Sequence, residues 1–389
     1  MIYDEVRHLG DFFQSSREKG RSGLPLLSVT LNNGLVARDT LERRTETTIH
    51  PDDHLLAREG FIVYNMMRVW QGALGRANTD GLVSPAYIVL KPTKKVDSLF
   101  AEYLFKTPRM VYLFWAYSYG LTKDRLRLYY NDFSRIPVII PPLREQKKIA
   151  YILSTWDKAI ITTEQLLANS LQQKKFLMQE LLTGKKRLLS DEEVKFSGEW
   201  NIQHLSDLAL VVMGSSPKSA AYNEEGLGLP LIQGNADIKK RKSSPRVYTS
   251  EITKECIPED ILLSVRAPVG TVALASHHAC IGRGIAAIRA KATACQSFVY
   301  QWLLWFEPKW ASFSQGSTFE SINGDDIKQL KLQAPPYEEQ QKIAAVLSTV
   351  DQEIESLQEK LDCLKNEKKA LMQQLLTEKR REDLQGASI

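Results

Sequence analysis

The chain has 389 residues, of which 25% are charged and 43% hydrophobic, and its formal net charge is +5. That length exceeds a single ordinary core and calls for two or three domains with the composition of a water-soluble globular protein. The modest charge permits an anionic partner but excludes a general nucleic-acid-coating protein, and no apolar run reaches the ~18 residues of a membrane span.

Residues 1–142 are expected to form a first globular unit. Its start, MIYDEVRHLGDFF, lacks the basic-then-apolar layout of a signal peptide, which points to the cytoplasm. Short apolar runs, LPLLSVTL, GFIVYNMM and PAYIVLKP, are separated by Gly, Pro, Asn and Asp and read as strands and turns. The stretch FAEYLFKTPRMVYLFWAYSYG reads as helix on either side of Pro108, giving an α+β pattern.

A long helix is expected over 143–187, introduced by PPLREQKKIAYILSTWDKAI from Pro141. The same text returns as PPYEEQQKIAAVLSTVDQEI from Pro335, a shift of 194 residues, and a second long helix is expected over 337–381 with a tail at 382–389. A repeat at fixed spacing dictates architecture. Alternating steps of four and three place Ile149, Leu153, Trp156, Ile160, Leu167, Leu177 and Leu181 on one stripe of the first helix. The second carries Ile343, Leu347, Val350, Ile354, Leu357, Leu361, Leu364, Leu371 and Leu375. Such a stripe is a coiled-coil seam, and the first is the leakier because Thr163, Ser170 and Lys174 interrupt it. Each helix, at about 40 residues and 1.5 Å per residue, is roughly 60 Å long and cannot bury its stripe alone. The first copy is rich in Lys and Arg while the second carries Glu353, Glu355, Glu359, Asp362 and Glu367, so each is expected to pair with the other.

Residues 188–336 repeat the first unit in outline. HisLeuGlyAsp at His8 returns as HisLeuSerAsp at His204, ProAspAspHisLeuLeu at Pro51 is matched to ProGluAspIleLeuLeu at Pro258, and Arg68 with Gly72 to Arg266 with Gly270. The whole chain therefore reads as a doubled half whose turn and scaffold positions recur while its loops diverge. Two unlike heads on paired rods suit two targets a fixed distance apart.

Catalytic and metal chemistry find no seat. AlaProProTyr at Ala334 has no side chain to hold a target amine as an Asn/Asp-Pro-Pro-Tyr motif would, and Glu59 is followed by Gly60 and Phe61 where a nuclease triad needs a lysine two residues on. There is no phosphate loop and no GxGxxG. His277, His278 and Cys280 lack a second ligand pair, and Cys256, Cys280, Cys295 and Cys363 form no CxxC, so neither a metal site nor a disulfide framework is expected.

Candidate nucleic-acid contacts in the first unit are Arg38, Arg43, Arg44, Asn65, Arg68, Gln71, Lys123 and Arg125. In the second they are Lys218, Lys239, Lys240, Lys242, Arg266, Gln315, Ser317 and Thr318, with Arg127, Arg241 and Arg246 as further cations of the two units. Lys and Arg attract phosphates, while Arg, Asn and Gln address base edges with paired hydrogen bonds. On these residues alone a coiled-coil scaffold with two protein-binding heads remains open.

The paired ProPro-x-x-GluGln segments (Pro141, Pro142, Glu145, Gln146; Pro335, Pro336, Glu339, Gln340) and their helices resemble those of the specificity subunits of type I restriction-modification systems. The second unit adds Trp200, His204 to Asp207, Gly214 to Pro217, Tyr222, Pro230, Gly270 and GlnGlySerThr at Gln315, whereas the first has LeuPheTrpAlaTyrSerTyrGlyLeuThrLysAsp instead of that last signature. The resemblance implies two target-recognition domains with an antiparallel pair of spacer helices between them. Each domain would read one half of a bipartite, asymmetric site on double-stranded DNA, and the helices would set the gap. It also implies a non-catalytic chain joined by two modification methyltransferase subunits that use S-adenosylmethionine, and in the full complex by restriction subunits that use ATP and Mg2+.

Overall fold

The computed structural model describes residues 6–41, 49–122, 124–190, 194, 196, 198–313 and 321–376. The chain divides into two compact units, 1–163 with 360–389, and 164–359. Each long helix therefore begins in one unit and ends in the other.

The first unit is built on a four-stranded antiparallel sheet in the order Phe13–Ser16, Tyr87–Pro92, Ile62–Asn65, Leu74–Arg76. Its side chains divide by the two-residue period of a strand. Phe13, Ile62, Tyr64, Leu74 and Leu90 face one core, with Phe100, Phe105, Phe114 and Phe133, while Val63 and Val89 face a smaller one with Leu27, Ala57 and Val83. Burial on both faces explains why GFIVYN reads as a continuous apolar run. Two helices cover the larger core, Ser98–Phe105 and Pro108–Ala116. They separate where expected: Thr107 caps the second, accepting from the Met110 amide at 3.4 Å, and Pro108 occupies its first turn, where a missing N–H costs nothing.

The second unit repeats that sheet. Ala209–Met213, Ile285–Ala290, Ile261–Ser264 and Val272–Leu274 follow in the same order, extended by Lys242–Ser243 and Ile238–Lys239. Ile261, Leu263, Val272, Ala286 and Ile288 face one core and Leu262, Ala273, Ile285 and Ala287 the other, so the two-faced burial is duplicated as well. A helix Gln296–Phe313 covers the larger core and runs through Pro308.

One expected correspondence fails. The ProAspAsp turn leads to Leu55–Ala57, which pairs with Gly81–Val83 in a separate ribbon, whereas ProGluAsp leads to the central strand Ile261–Ser264, whose counterpart is Ile62–Asn65. The true equivalents are Gly60 and Glu259. Both are left-handed (φ 83° and 71°) and both donate an amide to the carbonyl of an equivalent alanine, Ala77 or Ala275. Pro followed by acidic residues is a general turn spelling, so it recurs without homology of position.

The long helices span Leu143–Leu181 and Tyr337–Leu376, each directly after its two prolines. In the first unit Ile149 and Leu153 share a core with Leu371 and Leu375; in the second, Leu177 and Leu181 share one with Ile343 and Leu347. The pairing is antiparallel, with the same register in both units. Of the remaining stripe, Val350 and Leu361 are buried, and Trp156, Ile160, Leu167, Ile354, Leu357 and Leu364 are half-buried. Thr163 and Ser170 are buried despite their polarity: Thr163 donates to the Ala159 carbonyl at 2.8 Å and Ser170 to Glu353 at 3.3 Å.

Charge pairing follows the expected match of a basic first helix with an acidic second at one point and reverses it at another. Lys174 meets Asp351, and Lys368 meets Asp157, each at 2.5 Å and half-buried. Asp351 and Lys368 stand 194 residues after Asp157 and Lys174, so the two pairs are one pair repeated by the duplication. The repeat extends to the partners: Tyr103 donates its hydroxyl to Asp157 at 2.5 Å and Gln301 its amide to Asp351 at 2.7 Å.

The ProPro-x-x-GluGln segments lock each helix start to its own sheet. Gln146 accepts from the Asp97 amide at 2.8 Å and donates to the Lys95 and Pro141 carbonyls; Gln340 accepts from the Cys295 amide at 2.9 Å and donates to the Pro335 carbonyl. Glu339, fully buried, takes both arms of Arg187 at 2.6 Å and the Trp200 indole at 3.2 Å. HisLeuGlyAsp and HisLeuSerAsp also recur in structure, since the Asp11 and Asp207 carboxylates each accept the amide of the histidine three residues before.

Candidate nucleic-acid interface

The sheet of each unit has two distinct ends. One end, carrying the 93–97 turn and the residues that follow Ala290, is bound by Gln146 or Gln340 and faces the long helices. The opposite end is formed in the first unit by the turn after Asn65. In the second it is formed by the loops after Met213 and Ser264 and by the one before Ile285, because Met213 pairs with Ala286 and Ser264 with Ile285. Arg68 and Arg266 stand at this free end, in the loops that follow Asn65 and Ser264.

In the first unit the chain leaves Asn65 into the 3-10 turn Val69–Gln71, closed by Gly72 at φ 97°, where an L side chain would be strained. Arg68 and Gln71 are both exposed, and the Arg68 Nε donates to Gln71 Oε1 at 3.1 Å, presenting two planar polar groups as one surface. Asn65 shapes the turn, its Oδ1 accepting the Met67 amide at 3.0 Å. The loop from Tyr119 to Arg127 is fastened alongside by paired backbone bonds between those two residues and by the Leu128 amide donating to Met66. Arg125 is exposed on it, and Arg127 donates to the Tyr129 hydroxyl at 3.4 Å. Arg38 is half-buried on a separate two-stranded ribbon, at the start of the turn Arg38–Thr40.

This surface also has an aromatic part that the sequence did not single out. The helix Pro108–Ala116 packs against the Arg68 turn and exposes Tyr112 (62%) and Trp115 (48%), whose rings lie 5.7 Å apart. The Tyr119 and Tyr129 rings lie 5.6 Å apart, tilted by 32°, and Leu121 is fully exposed. The three-residue spacing of Tyr112 and Trp115 was visible, but inside an apolar run it reads as core.

In the second unit, Arg266 is exposed just past the central strand, and the Val265 amide donates to Gly284. That bond brings in Arg283, an exposed cation absent from the sequence-based set, whose amide donates to Ser216 Oγ at 3.3 Å. The flanking glycines are the signal: a Cβ at Gly284 would lie 2.3 Å from the Gln233 carbonyl, and one at Gly214 would lie 2.2 Å from the Gly282 carbonyl. Only bare backbone lets these loops close around Arg283. Lys239, Lys240 and Lys242 are exposed on a hairpin at the sheet edge, and Lys218 is exposed beside the turn Ser219–Ala221. Two neighbours in the basic run are committed elsewhere: Arg246 binds the buried Asp237 at 2.9 Å, and Arg241 binds Glu307 at 2.6 Å. Arg43, Arg44, Lys123, Gln315, Ser317 and Thr318 lie outside the described residues.

The Cys256 thiol is pushed up to about 12 by burial and by the nearby Asp260 charge, which keeps it protonated at neutral pH. Among the described residues no three His, Cys, Asp or Glu side chains are grouped to hold a metal ion, and no helix is long and apolar enough to cross a membrane.

Two copies of one sheet, each with a cationic free end and a helix-bound end, define a duplicated binding protein. The family described as Type I restriction modification DNA specificity domain matches residues 5–173 and again 197–366, and the chain belongs to it. It is a DNA-targeting specificity subunit with two recognition domains. A relative of Methanocaldococcus jannaschii, named as type I restriction enzyme MjaX specificity subunit, is 33% identical over 300 residues, 75% of this chain and 70% of that protein. Among solved structures, the S subunit of a type I restriction-modification system from M. genitalium superposes with a TM-score of 0.63 at 15% identity, covering 96% of each chain. A chain from a structure on complex assembly and conformational transition of the type I R-M system gives 0.58 at 23%, covering 97% of this chain and 98% of that one. At these identities the superpositions speak for the fold.

Proposed function

We propose that each unit reads one half of a bipartite, asymmetric double-stranded DNA site through the free end of its sheet, and that the helix pair sets the length of the unread gap. The observation that carries this reading is the division within the duplication: the helix-bound ends repeat their bonds at equivalent positions, while the free ends present different side chains. A protein that bound the same target twice would have no use for that difference. The long helices suit a ruler because each is one uninterrupted element of 39 or 40 residues. The family does not favour the rival reading as a protein-binding scaffold.

On this reading the chain is non-catalytic and works in the cytoplasm. Adenine methylation with S-adenosylmethionine belongs to two modification subunits, and cleavage that consumes ATP with Mg2+ belongs to restriction subunits of the full complex. The test is methylome sequencing of cells whose copy of this chain carries residues 1–142 of a relative. One half-site changes and the other half and the gap stay; changes in both halves would defeat independent reading. Four residues inserted after Gln173 add ~6 Å of helix, about one to two base pairs. The gap should lengthen by that amount between unchanged half-sites.

A further inference from the structure

The second unit's basic run, Lys239-Lys240-Arg241-Lys242, is a two-residue hairpin: Ile238–Lys239 pairs with Lys242–Ser243, and Lys240 and Arg241 form its turn at φ 45° and 60°. Positive φ at both central positions is the conformation of a type I′ hairpin turn, which Asn and Gly supply without strain and Lys and Arg do not. A strained turn persists only where its surroundings hold it. Here the stem is fastened by the Ser244 amide donating to the Asp237 carbonyl, and the tip by the Leu274 amide donating to the Arg241 carbonyl at 2.9 Å. The Arg241 side chain completes the hold, with Nη1 donating to the Val272 carbonyl at 3.0 Å and to Glu307 Oε2 at 2.6 Å. Lys242 pairs with Leu274, in the row of Ile261, so the hairpin stands on the sheet's edge; because that pairing is parallel its tip points toward the end that carries Arg266, and there the Arg241 side chain reaches Val272, the residue after the 265–271 turn. Lys239, Lys240 and Lys242 are exposed and make no ion pair among the described residues.

We propose that Arg241 is a positioning residue for DNA binding, which through Glu307 and the Val272 carbonyl holds a strained turn so that Lys239, Lys240 and Lys242 grip phosphates beside the half-site of the second unit. The proposal rests on the DNA-reading function above and adds a division of labour within four adjacent cations. Three face the polyanion, and the fourth turns back to hold them. An unpinned tip would relax to ordinary φ and scatter three like charges that repel one another.

The sign of one substitution decides between this and simple charge attraction. Glu307→Gln removes a negative charge and no cation, so attraction alone makes DNA binding tighter, whereas loss of the pin makes it weaker. The measurement is the dissociation constant of the full chain, assembled with its modification subunits, for a duplex bearing the methylome-defined site, over a series of salt concentrations. We expect Glu307→Gln to weaken binding about five- to tenfold with an unchanged melting temperature, Arg241→Gln to do the same, and the double variant to go no further. The triple variant K239Q/K240N/K242Q, in which Asn tolerates the turn, should flatten the slope of log affinity against log salt by about 0.9 for each phosphate left without its lysine. Tighter or unchanged binding in Glu307→Gln, with weakened binding in the triple variant, overturns the positioning role alone. A triple variant that binds and responds to salt like the parent removes the hairpin from the interface. If Arg68→Gln and Arg266→Gln also leave affinity intact, the free-end reading fails with it.

Discussion

The two units share a frame and differ in the surface they offer. At the helix-bound end, Gln146 and Gln340, Asp157 and Asp351, Lys368 and Lys174, and the two His-Leu-x-Asp turns make equivalent bonds. At the free end, the first unit presents an Arg68–Gln71 pair among exposed aromatic rings, while the second presents a lysine hairpin with Arg266 and Arg283. Duplication has kept what fixes the sheets to the helices and released what meets the outside. A binding surface can change without cost to the fold where its side chains point to solvent; a buried amide with several bonds cannot.

The first way to break that comparison is to remove the shared part. Gln146 and Gln340 are 1% and 2% exposed, and replacing either by Leu strands a buried amide N–H together with at least one carbonyl. Each substitution should cost about 3 kcal/mol at 1–3 kcal/mol per stranded group, measured by chemical denaturation of the full chain. Similar losses support equivalence of the two locks; a loss at one site only would show that the resemblance of the two ends is geometrical and not energetic.

The second tests the unlike part. Trp115→Ala in the first unit should weaken DNA binding roughly tenfold, about 1.4 kcal/mol, with the salt slope unchanged because no cation is removed. Lys239→Gln in the second should weaken it less at moderate salt and flatten the slope by about 0.9. If Trp115→Ala leaves affinity intact and instead releases a modification subunit, the aromatic face belongs to protein docking.

How much of this was legible before the structure depended on the range of the signal. The helix stripe is a local periodic pattern, and its members from Ile149 to Leu181 and from Ile343 to Leu375 lie buried or half-buried as the spacing requires. The strands around Val63 and Val89 were legible because burial on both faces leaves a continuous apolar run. The mismatch of Pro51 with Pro258 came from turn chemistry that carries no positional information. Charge partners were the least legible: nothing local indicates that Arg241 finds Glu307, 66 residues on, or that Arg246 is tied to Asp237 while Lys242, four residues before it, is left exposed. Arg283 was detectable only through its flanking glycines, and Trp115 only by knowing which face of its helix the core leaves bare.

The finest difference between the units lies inside the repeated ion pair. Asp157 receives the Tyr103 hydroxyl where Asp351 receives the Gln301 amide, so beside the same Asp–Lys pair one lock has a phenol that can lose its proton and the other an amide that cannot. Burial, then the hydrogen bond to Asp157 and its charge, raise the Tyr103 pKa far above the usual tyrosine value. A group whose folded pKa is raised contributes stability that is fully present below its unfolded pKa, about 10 for tyrosine, and that is lost as pH climbs from there toward the folded value. Tyr103→Phe removes the titration, and Tyr103→Gln copies the second unit's arrangement. Both variants should lose less melting temperature than the parent between about pH 9 and pH 11, on either side of that unfolded value, while near neutral pH Tyr103→Phe sits slightly below the parent for want of one hydrogen bond, by about 1 kcal/mol. The half-buried Tyr300, pushed up to about 12 by its partial burial, leaves a residual alkaline decline in every variant, so the readout is the difference in slope. Equal slopes in parent and Tyr103→Phe would mean that the hydroxyl is wet, and that the two locks differ in sequence but not in chemistry.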